Sequence, residues 1–170
     1  MTLDVFGADE QHDVGVALDQ MVALTREVLI AEGVRGGAEV SLLFVDEPTI
    51  AELNERFRGV PGPTDVLSFP LGDDDAGTGR APDAGGSGPG EPLAELPPDL
   101  LGDVVVCPKV AASNAARDDV SYDDELALLV VHGTLHLLGW DHEEPAEATR
   151  MEARERELLL AHFSQTWAGR

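Results

Sequence analysis

Three of the chain's five histidines fall within eleven residues, at His132, His136 and His142 of the stretch HGTLHLLGWDH. Residues four apart on an α-helix share a face one turn apart, so His132 and His136 can present two imidazoles to one ion. Gly139 lets the chain leave such a helix through a positive φ, and His142 can then fold back as a third nitrogen ligand. Three protein ligands leave a tetrahedral metal one open position, which is the arrangement of a catalytic rather than a structural centre. An ion held this way lowers the pKa of its bound water to about 7 and polarises an oxygen under attack. Imidazole suits Zn, Cu, Fe and Ni, and geometry and availability favour zinc, with one Zn2+ per chain. The same spacing occurs in the metalloprotease signature H-E-x-x-H-x-x-G-x-x-H, but Gly133 stands where that signature carries its glutamate general base. The pattern points to a metal-dependent hydrolase that lacks a peptidase's proton acceptor.

Other residues carry two readings each. Arg58 can hold the non-bridging oxygens of a phosphodiester bidentately as negative charge develops there, or it can serve as a cation suited to a helix C-terminus. Asp65 and Asp141 can orient a ligand histidine or can be turn residues. Trp140 can stack on a base or pack at the rim of the core. Thr64 and Ser68 read as structural, and His12 and His162 as surface residues.

These groups must be positioned by the elements around them. Val14 to Ala31 reads as an amphipathic helix stopped by Gly33, Gly36 and Gly37. Glu39 to Val45 reads as a strand, and a helix with Pro48 at its start runs to about Phe57 with Ile50, Leu53 and Phe57 on one face. Thr64 to Pro70 and Leu101 to Cys107 read as two more strands. Helices follow over Lys109 to Arg117, Tyr122 to Leu138 and Glu143 to Phe163, the second with acidic residues in its first turn. Between the last two strands, residues 72–98 are rich in Gly, Pro, Asp and Ala, a composition that reads as a flexible insertion. The class expected is α+β: a small mixed sheet of three to four strands packed with about five helices, the metal site at a helix end. Length supports one metal-dependent hydrolase domain over residues 1–170.

Composition narrows the partners. The chain carries 33 acidic against 11 basic residues, a formal net charge of −22. Such a protein repels phosphate backbones and anionic lipid at long range, which excludes a broad basic surface for nucleic acid and a basic membrane binder. No apolar run approaches a membrane span of roughly 20 residues, and the acidic start has no signal-peptide pattern. The single Cys107 excludes an internal disulfide framework and fits a reducing, cytoplasmic setting.

At this point the chain resembles a known family. HGTLHLLGWDH is similar to the H-G-x-L-H-L-x-G-x-D-H signature of the YbeY endoribonucleases of bacteria. Leu53-Asn54 to Phe57-Arg58, followed by Pro63 to Pro70 (PTDVLSFP), resembles that family's L-N-x-x-[YF]-R and P-T-D-V-L-S-F-P, and Leu101 to Val105 its G-D-I-x-I strand. The likeness runs in order from about Glu39 to Phe163. It departs at the insertion and at Val60-Pro61-Gly62, where the family often has a Lys-Asp pair, so the loop brings less positive charge. The resemblance implies a zinc-dependent, single-strand-specific endoribonuclease acting in ribosomal RNA maturation, at the 3′ end of the small-subunit RNA, and in ribosome quality control. It implies His132, His136 and His142 as zinc ligands and Arg58 as the site's catalytic cation. Its partners would be single-stranded or ribosomal RNA, with ribosomal proteins or a ribosome-associated GTPase, and no membrane. The tri-His motif by itself also fits another zinc hydrolase, or a ribosome-associated interaction protein with little catalysis.

Overall fold

A computed structural model describes residues 3–71 and 99–163. Its elements follow in the order β1 (Asp4–Asp9), α1 (Leu18–Ala31), β2 (Ala38–Phe44), α2 (Glu47–Arg58), β3 (Val66–Pro70), β4 (Asp99–Val106), α3 (Pro108–Asp118), α4 (Tyr122–Leu137) and α5 (Pro145–His162). The strands form one mixed sheet ordered β1-β2-β4-β3. β1, β2 and β4 run parallel, and β3 pairs antiparallel with β4. The α+β expectation therefore holds, with four strands and five helices among the described residues. The insertion read at 72–98 lies outside those residues.

Alternation along the central strands explains the layering. Val104 and Val106 of β4 join Val40, Leu42 and Phe44 of β2 in a core shared with α1, α4 and α5. Val105 and Cys107 join Leu67 of β3 and Ile50 of α2 in a smaller cluster. Successive strand residues point to opposite faces, so one strand feeds two packed layers. Helix α4 is buried almost all round: Ala127, Val131, Gly133 and Leu135 are covered as fully as Leu126, Leu129, Val130 and Leu137. A helix covered on every side is the centre of a core rather than its wall. It packs on α1, α3, α5, β3 and β4. Ser121 caps its start by accepting the Asp124 N–H at 3.1 Å.

The N-terminal reading needs correction. The helix expected from Val14 begins at Leu18, and a strand precedes it. Gln11, itself buried, holds the intervening turn: its Oε1 accepts the N–H groups of Asp13 and Val14 at 3.0 Å, and its Nε2 donates to the Val14 carbonyl at 2.7 Å. The Val14 carbonyl, which would accept the first helical bond, accepts the Gln11 side chain instead. Strand β1 escapes a pattern search because Asp4, Gly7 and Asp9 interrupt its apolar content. Gly7 is where α1 crosses it: a Cβ there would lie 2.3 Å from Val22 Cγ2.

Candidate metal centre

Helix α4 sets the first half of the site. His132 and His136 project from its last turns with ring centroids 4.5 Å apart. Between them Gly133 lets the helix lie directly on the sheet. A Cβ on Gly133 would sit 2.6 Å from Val104 Cγ1 and 2.9 Å from Val66 Cγ2, and the Gly133 carbonyl accepts the Ser68 hydroxyl at 2.7 Å. The position that a metalloprotease gives to its glutamate is here a packing contact, with no space for a side chain. Ser68 is structural, as expected.

The chain then leaves the helix through a Schellman motif. Gly139 takes φ 98°, its N–H donates to the His136 carbonyl at 3.0 Å, and the Trp140 N–H donates to the Leu135 carbonyl at 3.0 Å. Only a glycine adopts this φ without strain. Asp141 closes the next turn: its Oδ1 accepts the N–H of His142 at 2.7 Å and of Glu143 at 3.3 Å. The His142 ring is thereby returned to the helix end, with centroids 5.5 Å from His132 and 4.7 Å from His136. One ring nitrogen from each histidine lies within 4.8 Å of the others.

The donor set fits a metal. Nitrogens sharing a tetrahedral ion lie roughly 3.3 Å apart, a spacing that side-chain rotation reaches most easily at His142, whose side chain is 52% exposed. Burial first, and then the neighbouring His132 and His142, push the His136 imidazole below its usual pKa, which favours its neutral, ligating form. His132 Nδ1 lies 2.5 Å from Oε1 of Glu155 on α5. A carboxylate only accepts, so this ring donates through Nδ1 and keeps its Nε2 lone pair for a metal.

Glu155 is the residue that motif reading missed, because it lies 23 positions beyond its histidine. A signal was present. Met151, Glu155, Leu158 and Leu159 are the buried residues of α5, so a glutamate occupies an apolar stripe at helical spacing. A buried carboxylate requires a partner.

Asp65 orients no histidine: it accepts the Val66 N–H at 2.8 Å and the Asn114 amide at 3.1 Å, and so shapes the entry to β3. Asp141 is a turn residue with its Oδ1 3.9 Å from His142 Nδ1. Trp140 packs against the core, and its Nε1 donates to Glu32 Oε2 at 2.9 Å. Glu32 also accepts Arg154 Nε at 2.6 Å, and Arg154 donates to the Ala31 carbonyl at 3.3 Å. The end of α1 thus anchors the turn that carries His142.

Arg58 and the three histidines line one cleft of about 1060 Å³, whose wall runs along β3. Arg58 is exposed at the end of α2 and donates to Asn54 Oδ1 at 3.5 Å. Asn54 is buried and also donates to the Gly62 carbonyl at 2.9 Å, which ties the following loop to the helix. Gly59 ends the helix at φ 68°. His12 and His162 lie outside the cleft lining, and His162 sits 3.7 Å from Glu27.

Comparison with known proteins agrees with this picture. The family profile for Endoribonuclease YbeY matches residues 7–162. A protein of Beutenbergia cavernae named Endoribonuclease YbeY is 48% identical over 145 residues, covering 85% of this chain and 88% of its own. One of that name from Mycolicibacterium vanbaalenii is 41% identical over 159 residues, covering 94% and 79%. The solution structure of TM1509 from Thermotoga maritima superposes with a TM-score of 0.58 at 25% identity, covering 99% of this chain and 93% of that one. The chain with the three-histidine cleft belongs to the YbeY endoribonuclease family.

Proposed function

We propose that this chain is a zinc-dependent, single-strand-specific endoribonuclease. It acts in the cytoplasm on ribosomal RNA, at the 3′ end of the small-subunit RNA, and in ribosome quality control, alongside ribosomal proteins or a ribosome-associated GTPase. The observation that carries the reading is the convergence of three histidine nitrogens within 4.8 Å on a cleft shared with Arg58. The relatives are named endoribonucleases, which supports RNA as the substrate.

His132, His136 and His142 would hold the ion. Bound there, zinc supplies Lewis acidity toward a phosphoryl oxygen. Glu155 fixes the tautomer and orientation of His132. Arg58 meets the non-bridging oxygens of the scissile phosphate, where its fork of N–H groups stabilises developing charge. Asn54 steers that guanidinium from a buried position. Gly133 leaves no carboxylate at the position of a peptidase base, which supports a phosphodiester over a peptide as substrate.

The test compares wild type, His136→Ala and Arg58→Ala on single-stranded and duplex RNA, with and without a chelator. Wild type cleaves the single strand, the chelator and His136→Ala abolish cleavage, and Arg58→Ala lowers kcat by about a hundredfold or more. If both variants cleave like wild type, the reading fails.

A further inference from the structure

The helical pattern of α2 assigns Ile50, Leu53 and Phe57 to one apolar face, but that face runs off the core. Ile50 is fully buried, Leu53 is partly covered, and Phe57 is 57% exposed. The Phe57 ring lines the same cleft as the histidines. It forms a T-shaped pair with Phe69 of β3, with centroids 5.1 Å apart and planes at 69°. The guanidinium of Arg56 lies over one face of this ring, 5.3 Å from its centroid, and Arg58 is the next residue on the helix.

The cleft's charge makes this ring matter. Asp65, Asp103, Asp141 and Glu143 line the cleft, and Arg58 is its only lysine or arginine among the described residues. With a net charge of −22 over the whole chain, phosphate contacts alone supply little affinity for a polyanion. Stacking on an aromatic face is indifferent to phosphate charge, and its strength is independent of sequence because every base has a π-face.

We infer that Phe57, braced by Phe69 and backed on one face by the Arg56 guanidinium, offers its other face as a stacking platform for one nucleobase of the single-stranded RNA. This rests on the endoribonuclease reading above and adds to it the group that holds the strand beside the metal centre. Arg58, which lines the cleft, suits the phosphate next to the stacked base. A duplex keeps its bases stacked on one another, so the platform also gives a physical basis for single-strand preference.

The experiment measures binding of a single-stranded oligoribonucleotide to the zinc-loaded protein across a salt series, for wild type, Phe57→Leu, Phe57→Trp and Arg58→Ala. Phe57→Leu binds about tenfold more weakly with an unchanged slope of log affinity against log salt, and Phe57→Trp restores binding. Arg58→Ala flattens that slope by roughly 0.7, the signature of one lost phosphate contact. Thermal melting of each variant accompanies the binding data. If Phe57→Leu binds like a wild type that does bind and cleave RNA, the platform is wrong and the endoribonuclease reading stands. If Phe57→Leu loses affinity together with its fold, and Phe57→Trp does not rescue it, the ring is a packing residue and the inference is overturned. A wild type that neither binds nor cleaves RNA overturns both.

Discussion

The candidate metal centre is built from two unlike halves. His132 and His136 stand on α4, the most thoroughly buried helix of the fold, with Glu155 fixing one ring from behind. His142 stands on a surface turn, half exposed, and is returned to the site by a glycine, an aspartate and a tryptophan. The helical half is set by the same packing that makes the protein fold, so its geometry is fixed before a metal arrives. The turn half is set by a few hydrogen bonds and can adjust. A preset pair with an adjustable third ligand would accept an ion without requiring the core to move.

The largest expected effect comes from the helical half. Gly133→Val forces side-chain atoms into the 2.6 Å gap to Val104, and α4 must lift from the sheet. We expect a loss of about 3 kcal/mol in urea unfolding, together with metal binding. A variant as stable as wild type would show that the helix is not held by this contact. Next is Glu155→Ala, which frees the His132 ring and weakens metal binding by about ten- to a hundredfold by calorimetric titration. Unchanged affinity would mean that the helical half is not preset by its partner. In the turn half, Gly139→Ala imposes a side chain on a φ of 98° and costs about 1–2 kcal/mol of stability. Its effect on metal affinity should be smaller than that of Glu155→Ala, and the reverse ranking would invert the comparison. The smallest effect is expected for Glu32→Gln, which keeps the size of the anchor under Trp140 and Arg154 but weakens its charge-assisted bonds. Stability falls by about 1 kcal/mol, and the change in Trp140 fluorescence reports loosening of the turn.

The same division governs what was legible in the sequence. The three histidines and Gly139 are close in the chain, so their spacing on a helix and its exit is enough to assemble them. Strand β4 was visible as the β-branched run Val104 to Val106 closed by Pro108, although which layer each valine feeds was not. Strand β1 was not, because Gly7 serves the crossing of α1 and leaves no apolar pattern to read. Glu155 and Glu32 act across helix–helix contacts, and no local spacing encodes such a contact. Phe57 was placed on the apolar face of α2 but not at the cleft, because helical periodicity reports which face a residue is on and not where the core ends. Asp65 and Asp141 stayed ambiguous because a carboxylate in a turn and one beside an imidazole look alike in sequence. Gly133 showed only as a missing glutamate. The structure supplies the positive reason, a helix that lies too close to the sheet for any side chain.

The central claim is that the three histidines form a metal centre whose helical pair is indispensable and whose third ligand is adjustable. Titration of metal-free protein with zinc tests it most directly, for wild type, His136→Ala and His142→Ala. The account predicts one ion per chain for wild type, none for His136→Ala, and one ion bound more weakly for His142→Ala. Wild-type binding by His136→Ala would contradict it.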